Sequence, residues 1–195
     1  PLAPRPGMCY AFCLTETMLN GRTKGAAKMN ETLARELVAE SGRMLLQKGL
    51  AARTWGNISC RTGDAMVITP SGLGYENMTP EDTVTMDMRT GERRGSRKPS
   101  SEKGIHLAAY AAFPEADFVI HTHQTYASAI SLAGFRDLSL TSEEREALGG
   151  AALAEYGLPG TKKLAENVAV AYASGAHTVL MARHGAVIAG RGREE

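Results

Sequence analysis

Three of the chain's five histidines stand where apolar runs end, a placement that suits metal chemistry. His121-Thr122-His123 closes the run Phe118-Val119-Ile120. Side chains at i and i+2 of a strand point to the same face, so these two imidazoles would project together from one sheet edge, as two metal ligands must. Taken alone, the pattern also describes a pair of exposed surface histidines. His184 ends a second apolar run, 179–183, and Gly185 follows it to let the backbone turn. Two strands that each end in imidazoles can deliver three nitrogen ligands to one point and leave a coordination position open for a substrate. Imidazole suits zinc and several other divalent cations, so the metal's identity stays open.

Glu102 follows Pro99-Ser100-Ser101 at the start of a helical pattern. A carboxylate there is an ordinary favourable charge at a helix start, with Ser100 or Ser101 as the cap. Beside a metal it is also a proton shuttle. His106 lies one helical turn after Glu102, so the two could face the same way, but a packing or supporting histidine is the favoured assignment. His177 precedes a strand and is expected at the surface.

Two further segments have the composition of an anion cradle. Thr54-Trp55-Gly56-Asn57-Ile58-Ser59 places a glycine and small donors before a strand, and Thr69-Pro70-Ser71-Gly72 places them after one. Backbone N–H groups, hydroxyls and an amide at strand ends can hold a phosphate without a net basic patch, and a helix start with two hydroxyls adds to them. Turns are rich in these residues for other reasons, so each segment alone is a weak signal.

Positioning these groups requires alternating short elements. Asn30 can cap an amphipathic helix over 31–47, in which Leu33, Leu37, Val38, Met44 and Leu45 recur at helical spacing and which Gly49 stops. A hairpin is expected from 58–61 and 65–69 around Thr62-Gly63-Asp64. A turn with a helical start at 79–82, a strand over 83–88 and a turn at 90–92 follow. Helices are expected over 101–113, 124–132 and 161–174, and strands over 117–121, 179–183 and 187–189. Mixed order with hairpins predicts an α/β sandwich with a largely antiparallel sheet.

The bulk numbers narrow the classes. The chain has 195 residues, 43% hydrophobic, enough for one domain with a real core. Lys and Arg total 22 against 21 Asp and Glu, so there is no basic excess of the kind a nucleic-acid binder shows. No apolar run nears the roughly 18 residues of a membrane helix, and three cysteines rule out a disulfide scaffold. These traits predict a cytoplasmic protein with no nucleic-acid or membrane partner. Residues 1–28 show no periodicity and are expected to be a disordered or non-native leader, with Cys9 and Cys13 as a CxxxC pair lacking further ligands nearby. They hold Arg5, Arg22, Lys24 and Lys28 against Glu16, so residues 29–195 carry a net charge of −2. Such a domain must hold an anion by local means.

In order along the chain, Thr54-Trp55-Gly56-Asn57-Ile58-Ser59, Ile68-Thr69-Pro70-Ser71-Gly72, Thr79-Pro80-Glu81-Asp82, Lys98-Pro99-Ser100-Ser101-Glu102, His121-Thr122-His123 and Arg183-His184-Gly185 resemble the class II aldolase/adducin family over about residues 29–190. The resemblance implies a three-layer α/β/α sandwich around a mostly antiparallel sheet. It also implies zinc ligands at His121, His123 and His184, an acid/base at Glu102, and substrate phosphate binding at Thr54, Asn57, Ser71, Gly72, Ser100 and Ser101. The activity implied is metal-dependent retro-aldol cleavage of a phosphorylated ketose, such as L-fuculose 1-phosphate, to dihydroxyacetone phosphate and a short aldehyde. Homotetramers are implied too.

Family branches supply the alternatives: a pentulose-phosphate 4-epimerase, which typically carries Asp where this chain has Glu102; a methylthioribulose-phosphate dehydratase; and adducin-like binding proteins, which lack the metal histidines. Family members usually continue into a C-terminal helix, so residues 29–195 are expected to be such a domain without that helix. The stretch 138–150, where a neighbouring subunit's tyrosine is expected, has none; Tyr126 and Tyr156 are the nearest, and neither is assigned.

Overall fold

The computed structural model describes residues 29–133 and 138–191. The expected leader, with Cys9 and Cys13, lies outside the described residues. Helix α1 spans Glu31–Gln47; the Asn30 side chain accepts from the Leu33 N–H at 2.9 Å, satisfying one of the free donors at the helix start. Its buried stripe of Ala34, Val38, Ser41 and Leu45 follows the helical repeat. Strands β1 (Asn57–Thr62) and β2 (Ala65–Ile68) form the expected hairpin. A short 3-10 turn at Pro80–Asp82 leads into β3 (Val84–Asp87), which pairs with β4 (Arg93–Arg94). Helix α2 (Lys103–Ala112) is followed by β5 (Phe118–Thr122) and α3 (Thr125–Leu132). Then come α4 (Ser142–Ala147), β6 (Ala151–Ala154), α5 (Lys162–Tyr172), β7 (Thr178–Met181) and β8 (Gly185–Gly190).

The eight strands form one sheet in the order β4-β3-β2-β1-β5-β8-β7-β6. Only the β6–β7 pair is parallel, and α5 is its crossover helix. Strand parity sends apolar side chains both ways. Met66 and Ile68 enter one core with Ile105, Ala109, Leu164 and Val168, whereas Val67 joins Ala34, Val38 and Leu45 of α1 on the other side. The fold is thus the expected α/β/α sandwich, and each fully buried aliphatic side chain in the two cores contributes roughly 1.5–3 kcal/mol.

Three elements escape the sequence pattern: β4, α4 and β6. β4 is too short for any period. β6 reads Ala-Ala-Leu-Ala, a helix-favouring composition that is extended here because it completes the parallel pair with β7. Helix α2 begins at Lys103 rather than Ser101, so Glu102 occupies its cap position. Its far end is held by Arg61 of β1, whose guanidinium donates to the Tyr110 and Pro114 carbonyls, each at 2.6 Å. His177, expected at the surface, is half-buried instead, stacked on Phe113 with centroids 4.1 Å apart.

Candidate metal centre and anion loops

β5 ends at the middle of the sheet between β1 and β8, and the register places His121 opposite Asn57 on one side and Val187 on the other. His123 lies just beyond the strand end. His184 comes from the β7–β8 turn, where Arg183 takes the left-handed conformation (φ 59°). The expected role of Gly185 in turning the chain is therefore corrected: its φ is not positive, and what it supplies is space. A Cβ there would collide with the Thr122 carbonyl and stand 3.0 Å from the His123 Cα. The missing side chain lets the β7–β8 turn close onto the end of β5, which brings His184 to the other two histidines.

The three imidazoles and Glu102 converge. Glu102 Oε2 lies 3.1 Å from His121 Nε2 and 3.9 Å from His123 Nε2, and Oε1 lies 3.2 Å from His184 Nε2. His123 and His184 bring their Nε2 atoms to 3.2 Å of each other. One ligand atom from each of the four residues fits within a 4.8 Å span. A tetrahedral ion with bonds of about 2.0–2.1 Å spaces its ligand atoms by about 3.3 Å, so these separations fit one divalent cation. The donor chemistry fits as well. His121 Nδ1 donates to the Ala186 carbonyl at 2.8 Å, which leaves its Nε2 as a lone pair aimed into the site. That Nε2 and Glu102 Oε1 are buried without a hydrogen-bond partner among the described residues.

Electrostatics support the same protonation states. Burial opposes charge on Glu102, but the three imidazoles of His121, His123 and His184 around it outweigh that and hold the carboxyl well below the usual carboxylate range. Burial pushes the His121 imidazole down. An anionic carboxylate among neutral imidazoles is the state a cation requires.

The loops proposed for phosphate are brought together around this centre. The Ser71 N–H donates to Lys98 O at 2.9 Å, and the Ser100 N–H donates to Thr69 O at 3.0 Å, so the segment with Ser71 and Gly72 is laced to the one with Ser100 and Ser101. Ser100 is buried and its Oγ accepts from the Glu102 N–H at 3.2 Å, whereas Ser71, Gly72 and Ser101 are exposed. Asn57 is buried and donates from Nδ2 to Glu102 Oε2 at 3.1 Å. Thr54 stands in an exposed turn and makes no hydrogen bond to the other loops among the described residues. That turn leads to Trp55, which stacks on His123 with centroids 5.9 Å apart. Gly56, at φ 88°, packs against the His121 carbonyl and is anchored by the buried Tyr75 hydroxyl, which donates to its carbonyl at 2.6 Å. Tyr126 and Tyr156 are exposed, and the Arg183 guanidinium lies 5.7 Å over the Tyr156 ring.

His106 stands behind Glu102, in keeping with a packing or supporting histidine, but its partners Asn57 and Ser59 were not foreseen. His106, fully buried, contacts Ser59 Oγ through Nδ1 at 2.7 Å and Asn57 Oδ1 through Nε2 at 2.5 Å. The signal was present as Glu102, His106 and Tyr110 at four-residue spacing facing Asn57 and Ser59 at two-residue spacing.

Known proteins resemble the chain in sequence and in fold. The family model described as the class II aldolase and adducin N-terminal domain matches residues 36–195. The L-fuculose phosphate aldolase of Escherichia coli (strain K12) is 34% identical over 157 residues, which are 80% of this chain and 71% of that protein. The L-ribulose-5-phosphate 4-epimerase UlaF of Salmonella paratyphi C (strain RKS4594) is 39% identical over 102 residues, 51% of this chain and 45% of that one. A solved L-fuculose 1-phosphate aldolase superposes with a TM-score of 0.75 at 33% identity, covering 85% of this chain and 79% of the other. The chain belongs to the class II aldolase and adducin family.

Proposed function

We propose that the chain is a metal-dependent lyase that cleaves a phosphorylated ketose by retro-aldol chemistry. L-Fuculose 1-phosphate is the first substrate to try, with dihydroxyacetone phosphate and a short aldehyde as products. The observation that carries this reading is one carboxylate, Glu102, within 3.1–3.9 Å of three imidazole nitrogens at the end of the central strand β5. His121, His123 and His184 would hold a divalent cation, for which zinc is the best match to an all-imidazole set completed by a carboxylate or substrate oxygen. When bound, such a cation supplies Lewis-acid polarisation of the substrate's oxygens and positive charge against the anion that bond cleavage leaves.

The chain's own residues do the rest. Oε2 of Glu102 accepts from Asn57, and Oε1, which lies 3.2 Å from His184 Nε2 and has no hydrogen-bond partner among the described residues, would carry a proton to and from the reacting carbon. Asn57, Ser71, Gly72, Ser100 and Ser101, with Thr54 at the rim, would bind the phosphate through N–H and O–H donors and fix the bond to be broken over the metal. The exposed Trp55, Tyr126 and Tyr156 around this edge are consistent with a homotetramer whose neighbouring copies would cover it.

Incubation of the zinc-loaded protein with a panel of phosphorylated ketoses, read by release of dihydroxyacetone phosphate, tests the proposal. Release from L-fuculose 1-phosphate or a near relative supports it. Interconversion of pentulose 5-phosphates without cleavage would replace it with the epimerase reading, which the 39% identity to an epimerase over 102 residues keeps in play.

A further inference from the structure

We infer that His106 is a positioning residue: it fixes the side-chain amide of Asn57 so that the NH2 end, and not the carbonyl, faces Glu102 and the incoming anion. The inference deepens the sugar-phosphate reading and rests on it for the ligand alone; the orientation of the amide stands independently.

The arrangement follows from matched repeats. Four residues of helix rise about 6 Å and two residues of strand about 6.7 Å. Glu102, His106 and Tyr110 along α2 therefore keep step with Asn57 and Ser59 along β1, and a polar row runs inward from the site. Tyr110 Oη and Ser59 Oγ are 2.8 Å apart, Ser59 Oγ and His106 Nδ1 2.7 Å, His106 Nε2 and Asn57 Oδ1 2.5 Å, and Asn57 Nδ2 and Glu102 Oε2 3.1 Å.

Only one direction of donation satisfies all four contacts. Asn57 Nδ2 donates to Glu102 Oε2 at 3.1 Å, which fixes which end of the amide faces the carboxyl group. Its Oδ1 then points back and needs a donor, which makes His106 Nε2 protonated. Burial depresses the His106 pKa to about 3, so the ring is neutral and Nδ1 is an acceptor. Ser59 donates to Nδ1 and accepts from Tyr110. The reversed amide would set Oδ1 against a Glu102 oxygen and would require the other tautomer, with Nε2 bare and Nδ1 donating to Ser59. With the row intact, Asn57 spends one amide N–H on Glu102 and has its second without an acceptor among the described residues, available to a phosphate oxygen. A packing histidine would tolerate either tautomer; this one tolerates a single tautomer.

Nitrogen-15 correlation spectra of the intact labelled protein test this directly, with the His106 signals identified by their loss in His106→Gln. The expected result is a protonated Nε2 and a bare Nδ1, unchanged between pH 7.5 and 6. A protonated Nδ1, or a doubly protonated ring, overturns the inference whether or not any ketose is cleaved. Kinetics give a second arm with whichever ketose phosphate the parent cleaves. His106→Leu should lower kcat/KM about 10–100-fold with a raised KM, and His106→Gln, whose amide N–H can still reach Asn57 Oδ1, should recover most of that loss. Equal losses in the two variants at equal folded fraction overturn the positioning role. If the parent cleaves no ketose phosphate, the proposed function fails while the tautomer still decides the orientation.

Discussion

Glu102 and His106 sit four residues apart on one helix face, yet burial acts on them in ways that lead to separate tests. Glu102 is an anion held by three imidazoles, so replacing it by the isosteric amide removes the proton carrier and leaves the imidazole ligands in place. Glu102→Gln should therefore retain zinc, measured as metal per chain, while cleavage falls by about 10²–10⁴-fold. Cleavage within tenfold of the parent would remove Glu102 from the acid/base role. His106 is a neutral ring whose folded pKa, about 3, lies below its ordinary value of 6.5. Between those two values the unfolded chain binds a proton that the folded chain refuses, so stability falls as pH falls, by up to about 1.4 kcal/mol per pH unit from this residue. Above pH 6.5 both states are neutral and the contribution is flat. Urea unfolding with chelator present, from pH 7.5 to 5, should show a steeper loss for the parent than for His106→Gln; parallel curves would count against a buried neutral ring. The convergence of His121, His123 and His184 was legible in the sequence because strand parity and apolar runs locate strand-end histidines. The orientation of Asn57 was not, because its partner His106 lies 49 residues away in a different element.

Elements deliver those residues only where backbones can meet. The helix at Glu31–Gln47 and the hairpin β1–β2 were readable from caps, turn residues and periodicity, all local signals. The strand state of Ala151–Ala154 was unreadable because it depends on a parallel neighbour 27 residues onward, Thr178 opposite Ala151. The function of Gly185 was misassigned for a related reason: sequence shows a glycine at a turn, whereas the constraint comes from β5 across the sheet. Within β8 the two end glycines make a controlled comparison. Gly185→Ala would force a methyl into the Thr122 carbonyl and against the His123 backbone, neither of which is the movable end of a side chain. Gly190→Ala has open space. The first should lose about 1–3 kcal/mol and weaken metal binding, since His184 must back away from His121 and His123. The second should stay within about 0.5 kcal/mol of the parent with metal affinity intact. Chemical denaturation and zinc titration of the two variants decide this, and similar behaviour in both would show that close approach at Gly185 is not what seats His184.

At the scale of the whole molecule, the site lies where several separate elements of the fold meet. Glu102 comes from the start of α2, His121 and His123 from the end of β5, and His184 from the turn that links β7 to β8. The sheet runs from the hairpin strands on one side of β5 to the βαβ unit of β6, α5 and β7 on the other, and the residues at its middle are where a cation would cross-link the two. Such a centre also answers a charge problem. With no basic excess over residues 29–195, an anionic ligand has to be held by a cation, oriented N–H groups and hydroxyls rather than by a field of lysines. Because Glu102 and the three histidines come together only in the folded chain, metal binding there should be linked to folding. At a free zinc concentration a hundredfold above Kd, the linkage is worth about 2.7 kcal/mol, or roughly 5–10 °C in Tm for a chain of this size. Thermal unfolding with zinc and with chelator should differ by that amount in the parent. In His121→Ala the difference should vanish, since the ligand that faces both Glu102 and the neighbouring strands is gone. A shift of equal size in that variant would mean that the cation binds elsewhere, and that Glu102 and the three histidines converge without holding it.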